Sequence, residues 1–199
     1  VMRPILIFGA GGFAREITWL IDEINRSRPQ WEVIGYVVED PAEFGQSIHG
    51  KPVMRGLAEA RQCKQAKTGH CAAAIAVGTG SIRRRVIDHI ASSGAKFEFP
   101  NLVHPSVLRR SAEFQAGHGN LIAAGAILTT DIVIGSFNLL NLGCTLAHNV
   151  TLGDFCDIGP RAVLNGLVQT GDDVVVGAGA VISPKISIGN GATVGIGAV

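Results

Sequence analysis

The chain has 199 residues, 47% of them hydrophobic and 26 of them glycine, enough for a buried core in one large or two modest domains. A net charge of +1 offers no electrostatic footprint for nucleic acid, and no apolar stretch approaches the roughly 18 residues needed to span a bilayer. Four cysteines with neither zinc spacing nor disulfide-scaffold density, and no secretory leader before Gly9, make a reducing, cytoplasmic setting the expectation.

In chain order, residues 5–8 are a short apolar strand that runs into Gly9-Ala10-Gly11-Gly12. An amphipathic helix follows over 13–25, with Ile17, Leu20, Ile21 and Ile24 at helical spacing. Residues 33–38 read as a second strand closing on Glu39-Asp40-Pro41, and 57–65 as a helix. Residues 72–77 form a third strand ending at Gly78-Thr79-Gly80, 81–92 a helix, and 97–99 a last strand. Strand, glycine turn, helix, strand is a βαβ pattern and implies a small parallel sheet. The triplet Arg83-Arg84-Arg85 is too short for a nucleic-acid surface and reads as a solvated helix face.

Gly9-x-Gly11-x-x-Ala14 after a strand resembles the dinucleotide fingerprint in an alanine-ended form. Small residues let the backbone approach a diphosphate, and the following helix N-terminus favours negative charge. Glu39 and Asp40 close the second strand where a ribose-binding acid would sit. A domain of about 100 residues is half of a full dinucleotide fold. A mononucleotide half-site therefore fits better than a nicotinamide site, and a turn serving packing alone is the plain alternative.

The boundary falls at residues 100–105, where two prolines flank Asn101-Leu102-Val103-His104, giving domains 1–100 and 101–199. From Ile122 to Val194 every sixth residue is aliphatic, and only Thr170 breaks the row. The residue after each anchor is small or turn-forming. No helix has a period of six, and a fixed short period marks a solenoid whose repeats bury their apolar side chains against one another. Carried backward, the frame meets His104, Arg110 and Ala116, which are not aliphatic, so the first coil is expected to be an irregular cap. Cys144 and Cys156 share a phase four residues after an anchor and are expected in the core. The repeat runs in phase to Val199, where open strand edges lead to the expectation that either the chain is truncated or something else covers that end.

Of six histidines, only His148 lies deep in the regular repeat, two places after the anchor Leu146 and therefore near a corner or on the outer surface. A polar surface residue costs nothing there, but an imidazole is also suited to take a proton from an incoming nucleophile. His104 beside Pro105 reads as a linker residue, and His118 belongs to an irregular coil.

A βαβ domain with Phe8-Gly9-Ala10-Gly11-Gly12, Val38-Glu39-Asp40 and Ile75-Ala76-Val77-Gly78, joined by Asn-x-x-His-Pro-Ser to hexapeptide coils with Asn141 seven before His148, resembles one branch of the hexapeptide acyltransferases. That branch holds the bacterial nucleotide-amino-sugar N-acetyltransferases and the related sialic-acid O-acetyltransferases. The resemblance implies an α/β half-Rossmann domain followed by a left-handed parallel β-helix, assembled as a homotrimer with acetyl-CoA in the groove between neighbours. It implies His148 as general base with Asn149 and Asn141 as catalytic partners, and an oxyanion donor near Gly166. It also implies acetyl-CoA contacts at Gly143, Asn165, Gly166 and Ala178. Nucleotide sugar is implied at Gly9, Gly11, Gly12, Phe13, Glu39, Asp40 and Gly78, with no metal, membrane or nucleic acid involved. The family's usual acid after the histidine is here Asn149, so Asp131 or Asp154 is a candidate substitute; its usual glycine-loop histidine is here Phe13. Sugar O-acetylation and a non-catalytic binding module are the alternatives.

Overall fold

The computed structural model describes residues 2–40, 42, 44, 47–63, 71–109 and 114–199, and its contacts divide the chain into two units, Val1–Pro100 and Asn101–Val199. In the first unit, β1 (Arg3–Phe8) lies between β2 (Trp31–Val38) and β5 (Ala72–Ile75), parallel to both. Ile5, Leu6, Ile7 and Phe8 are all buried, as a continuous apolar run must be in a parallel strand covered on two faces. Helix α1 (Gly12–Ser27) buries Ile17, Leu20, Ile21 and Ile24, the positions its spacing singles out. The buried Thr18 hydroxyl on that face meets the Tyr36 hydroxyl at 2.7 Å, so neither polar group is left unsatisfied.

Three elements differ from expectation. The sheet is mixed, because β3 (Ser47–Ile48) pairs antiparallel with β4 (Lys51–Arg55), which continues the parallel sheet beside β2. The hairpin turns on His49 and Gly50, both with positive φ, a two-residue connection that matches strand twist. The helix expected over 57–65 is the short α2 (Gly56–Ala60), with residues 64 and 65 outside the described ones. The strand expected over 97–99 is one bridge, Glu98 against Ala72. Helix α3 (Gly80–Ser92) completes this unit.

The second unit is a left-handed parallel β-helix. Its first face stacks Leu121–Ile122, Leu139–Leu140, Asp157–Ile158, Val175–Val176 and Thr193–Val194 on Leu102–Val103. The second stacks Ile127–Leu128, Thr145–Leu146, Val163–Leu164 and Val181–Ile182 on Leu108–Arg109. The third holds Ile132–Ile134, Thr151–Leu152, Gln169–Thr170 and Ser187–Ile188 on Phe114–Ala116. Leu146 pairs with Leu128 and Leu164, the third anchor before it and the third after, so one coil takes three hexapeptides. The anchors from Ile122 through Ile182 are buried, each contributing about 1.5–3 kcal/mol. Thr170 is buried too, because its hydroxyl accepts the Gly153 amide and meets the Cys156 thiol. Cys144 and Cys156 are fully buried in a second inward row with Ala126, Val150, Ala162 and Val168.

From Gly119 onward each turn between faces contains a residue in the left-handed region, and each corner repeats it once per coil. The first corner, between first and second faces, uses Gly125, Gly143, Arg161 and Gly179. The second corner uses Asp131, Asn149, Leu167 and Lys185, and the third uses Gly119, Phe137, Phe155, Asp173 and Gly191. Outward residues of the second face are Leu108, Ile127, Thr145, Val163 and Val181, an almost wholly apolar stripe whose first two members are exposed.

The first coil is a correction to the expected irregular cap. Its described strands pair in all three faces, Val103 with Ile122, Arg109 with Leu128 and Ala116 with Ile134. The first two pairings reach one position further along the chain than the third does. One extra residue between Arg109 and Phe114 shifts the frame, which is why His104 and Arg110 fall out of phase; Arg110 itself lies outside the described residues. His104 therefore belongs to the first coil rather than a linker, with its Nδ1 at 2.8 Å from the Ser106 hydroxyl.

Two side-chain ladders knit the third corner. Asn101 Oδ1 accepts the Asn120 amide, Asn120 Oδ1 the Asn138 amide, and Asn138 Oδ1 the Cys156 amide. Outside it, Ser136 takes the His118 amide, Asp154 the Ser136 amide, Asp172 the Asp154 amide, and Asn190 the Asp172 amide. Replacing Asn120 by alanine strands the buried Asn138 N–H, and a loss of about 1–3 kcal/mol in urea unfolding is expected.

Candidate active site

Each unit carries one cluster with chemical capability. In the first, Gly9 leaves β1 at φ 123, where any Cβ would meet the Ala76 carbonyl oxygen at 2.4 Å. The chain turns tightly there against the end of β5, so this glycine has a packing role of its own. Gly11 and Gly12 are exposed, and Gly11 faces open space. Gly11 caps α1 without a side chain, and no acid stands in the first turn. The first-turn N–H groups thus form an electropositive end open to an anion. Phe13 is half-buried at the start of that helix.

Beside Gly9 opens a cavity of about 510 Å³ whose wall is mainly Phe8, Val37, Val38 and Val77, with Ile82, Arg85 and His89 of α3 opposite Glu39 and Asp40. Glu39 has a structural engagement as well: its Oε1 accepts the Leu57 amide at 3.1 Å, capping α2. Asp40 Oδ1 accepts the Ala42 amide at 2.9 Å. Gly78 receives Arg83, whose Nη1 donates to the Gly78 carbonyl at 2.7 Å. The solvated face read for the arginine triplet therefore fails for Arg83, while Arg84 is half-buried and Arg85 exposed. Arg83 is 1% exposed, folded in to satisfy the end of β5, while Arg85, two residues on, turns to the cavity. Arg85 and His89 are residues the sequence reading missed; the signal was an apolar Ile82–Val86–Ile90 spacing that placed them on a face shared with cavity walls.

In the second unit, His148 is exposed at the second corner, directly after the strand ending at Leu146. Its Nδ1 lies 3.0 Å from Asn149 Oδ1. An amide oxygen only accepts, so Nδ1 carries the hydrogen and Nε2 presents a lone pair. Asn149 sits at φ 60, a conformation asparagine tolerates better than most residues. The ring lies over Gly166, one coil on: a Cβ built there would be 2.3 Å from His148 Nε2. The coils are tied here, Leu167 N donating to the His148 carbonyl at 3.0 Å. Gly166 is needed because nothing larger leaves room for the imidazole.

The other site residues from the sequence spread over two corners. Asn165 stands beside Gly166, but its Nδ2 donates to the Ile182 carbonyl at 2.8 Å and so bridges coils. Asn141, Gly143 and Ala178 lie at the first corner, at the opposite edge of the second face from His148. Asn141 Oδ1 accepts the Leu142 amide at 2.7 Å, and Ala178 O accepts the Gly197 amide at 2.9 Å. Asp154 cannot replace the missing acid, since it belongs to the third-corner ladder; Asp131 occupies the second corner one coil before Asn149. Burial pushes the Cys144 and Cys71 thiols up to about 12, which removes both as thiolate nucleophiles. Among the described residues no group of His, Cys, Asp or Glu could hold a metal ion, and no helix is long and apolar enough to cross a membrane. His70 lies outside the described residues.

Residues 4–90 match the family of PglD N-terminal domains. The acetyltransferase domain of PglB from Neisseria gonorrhoeae, solved with acetyl coenzyme A, is 26% identical with a TM-score of 0.84, over 100% of this chain and 91% of that one. PerB from Caulobacter crescentus, solved with CoA and GDP-perosamine, is 25% identical with a TM-score of 0.82, over 99% and 88%. WeeI from Acinetobacter baumannii is 26% identical with a TM-score of 0.82, over 100% and 91%. No curated protein sequence matches the chain.

The bond between His148 and Asn149 makes a spectroscopic prediction. Long-range nitrogen NMR should show His148 as the Nδ1–H tautomer at high pH, and Asn149→Leu should return the ring to a mixture.

Proposed function

We propose that the chain is a nucleotide-sugar N-acetyltransferase of the hexapeptide-repeat class, moving an acetyl group from acetyl-CoA to the amino group of a nucleotide-linked sugar with His148 as general base; the PglD-type first unit and the likeness to solved acetyltransferases along the whole chain support this. The observation that carries this is the seat of the imidazole: Nδ1 is held by Asn149, and Nε2 is turned over Gly166. The sugar nitrogen attacks the thioester carbonyl while Nε2 removes its proton. The Gly166 N–H stabilises the oxyanion. The intermediate then collapses, the carbon–sulfur bond breaks, and the imidazolium returns the proton to the CoA sulfur. General-base help of this type contributes about 10²–10⁴-fold, and one oxyanion donor about 10²–10³-fold. A neutral Asn149 stabilises the imidazolium less than a carboxylate would, which suits an amine acceptor better than a hydroxyl.

In this reading the nucleotide binds the first unit. Its diphosphate lies over Gly11, Gly12 and the first turn of α1, beside Phe13. The base enters the cavity between the Glu39–Asp40 end of β2 and Arg85 on α3. Gly9 and Gly78 shape the cavity rim through their packing and their bond to Arg83. The apolar stripe Leu108–Ile127–Val163–Val181 supports a homotrimer, since an exposed apolar face wants cover. Three copies packed about that stripe would set the first corner of one, with Asn141, Gly143 and Ala178, beside the second corner of the next, with His148, Asn165 and Gly166. Acetyl-CoA occupies that groove, in the cytoplasm.

Two measurements check the reading. His148→Ala should lose acetyl transfer by about 10²–10⁴-fold in a thiol-release assay with UDP-, dTDP- and GDP-amino sugars, while still binding CoA; an unchanged rate removes the base. Arg85→Ala should raise KM for the nucleotide sugar with little effect on KM for acetyl-CoA; a KM unaffected for both takes the base out of this cavity.

A further inference from the structure

Between Ala123 and Val199 the chain has two permanent cations, Arg161 and Lys185. Their placement is not scattered. Every acid after His148 lies on the third corner or the first face: Asp154, Asp172 and Asp173 at the corner, Asp157 on the first face. Arg161 and Lys185 stand at the first and second corners, the two edges of the apolar second face. Beyond His148, charge is thus segregated across the prism, with Arg161 and Lys185 on the two edges of the second face and no acid beside them; the acid of the second corner, Asp131, lies one coil before Asn149.

Lys185 is exposed at φ 65, a left-handed conformation that disfavours a residue with a β-carbon. It lies on the same corner as His148, two coils further along, on the order of 10 Å down the axis at the usual strand spacing. Its amide donates to the Gly166 carbonyl at 2.9 Å, which fixes the lysine corner directly below the glycine that seats the imidazole. Arg161 differs. It is one coil nearer, on the other edge, and its Cγ lies 3.7 Å from where a Gly143 Cβ would be, so its stem folds back over the first corner.

We propose that Lys185 is the phosphate anchor for the acyl donor: its ammonium pairs with a phosphate of the nucleotide end of acetyl-CoA, while the thioester reaches His148 and Gly166. This rests on the acetyltransferase reading above. A pantetheine arm has to run along the corner between a reacting carbonyl and a polyanion, and among the described residues Lys185 is the one permanent cation on this corner in the coils after His148. The donor lacking the nucleotide, acetyl-pantetheine, keeps the thioester and cannot use the anchor.

The test is the ratio of kcat/KM for acetyl-CoA to that for acetyl-pantetheine, measured on the full chain. Lys185→Ala should lower this ratio about tenfold, Lys185→Arg should keep it, and the wild-type ratio should fall with added salt. Equal losses for both donors in Lys185→Ala, or no loss for either, overturn the anchor. So does a ratio lost in Arg161→Ala but kept in Lys185→Ala. A wild-type chain that binds neither CoA nor pantetheine by calorimetry overturns the acetyltransferase reading, and the anchor with it.

Discussion

In the second unit a strand of two residues cannot satisfy its own backbone, so each strand N–H must find its carbonyl on the neighbouring coil. That single demand fixes the rest. Three faces need three corners, each corner needs a residue in the left-handed region, and inward positions recur in columns. Leu128, Leu146 and Leu164 are stacked because the backbone leaves them no other place. The columns also explain how a small unit reaches high order without long strands or disulfides; the solenoid gains its core one rung at a time.

The same stacking builds the chemistry. His148 and Gly166 occupy successive coils at one corner, so the fold delivers an imidazole onto a bare backbone atom without any loop having to be ordered for the purpose. Asn149 serves two ends at once. It adopts the left-handed turn that its column requires, and its amide oxygen fixes the ring. An aspartate would fill the turn as well and add charge. The first unit works differently: its cavity forms where Gly9 crosses the end of β5, and its polar residues come from β2 and α3, elements far apart in sequence.

Much of this was legible beforehand, for physical reasons that differ by region. A period of six persists through the coils because each rung repeats the same burial, so the anchors, the corner position of His148 and the buried Cys144 and Cys156 could be read directly. The first coil could not, because one added residue broke the phase that carried the signal. The β3–β4 hairpin was hidden by strands too short to alternate. Arg83 and Arg85 misled because neighbours on a helix point in different directions, one into the end of β5 and one into the cavity. Asn165 and Asp154 belong to bridges between coils, which composition alone does not distinguish from site residues.

Aliphatic rungs are interchangeable, and a chain made only of them could close on the wrong turn of itself with little penalty. The amide ladder of Asn101, Asn120 and Asn138 removes that freedom. Its final bond joins Asn138 to Cys156, after which the column turns to residues without a carboxamide. Any threading displaced by one turn would leave a carboxamide facing hydrocarbon. Two carboxamides hidden from solvent, with Asn101 capping them from the surface, thereby number the turns of the solenoid, and His148 meets Gly166 because the count comes out right.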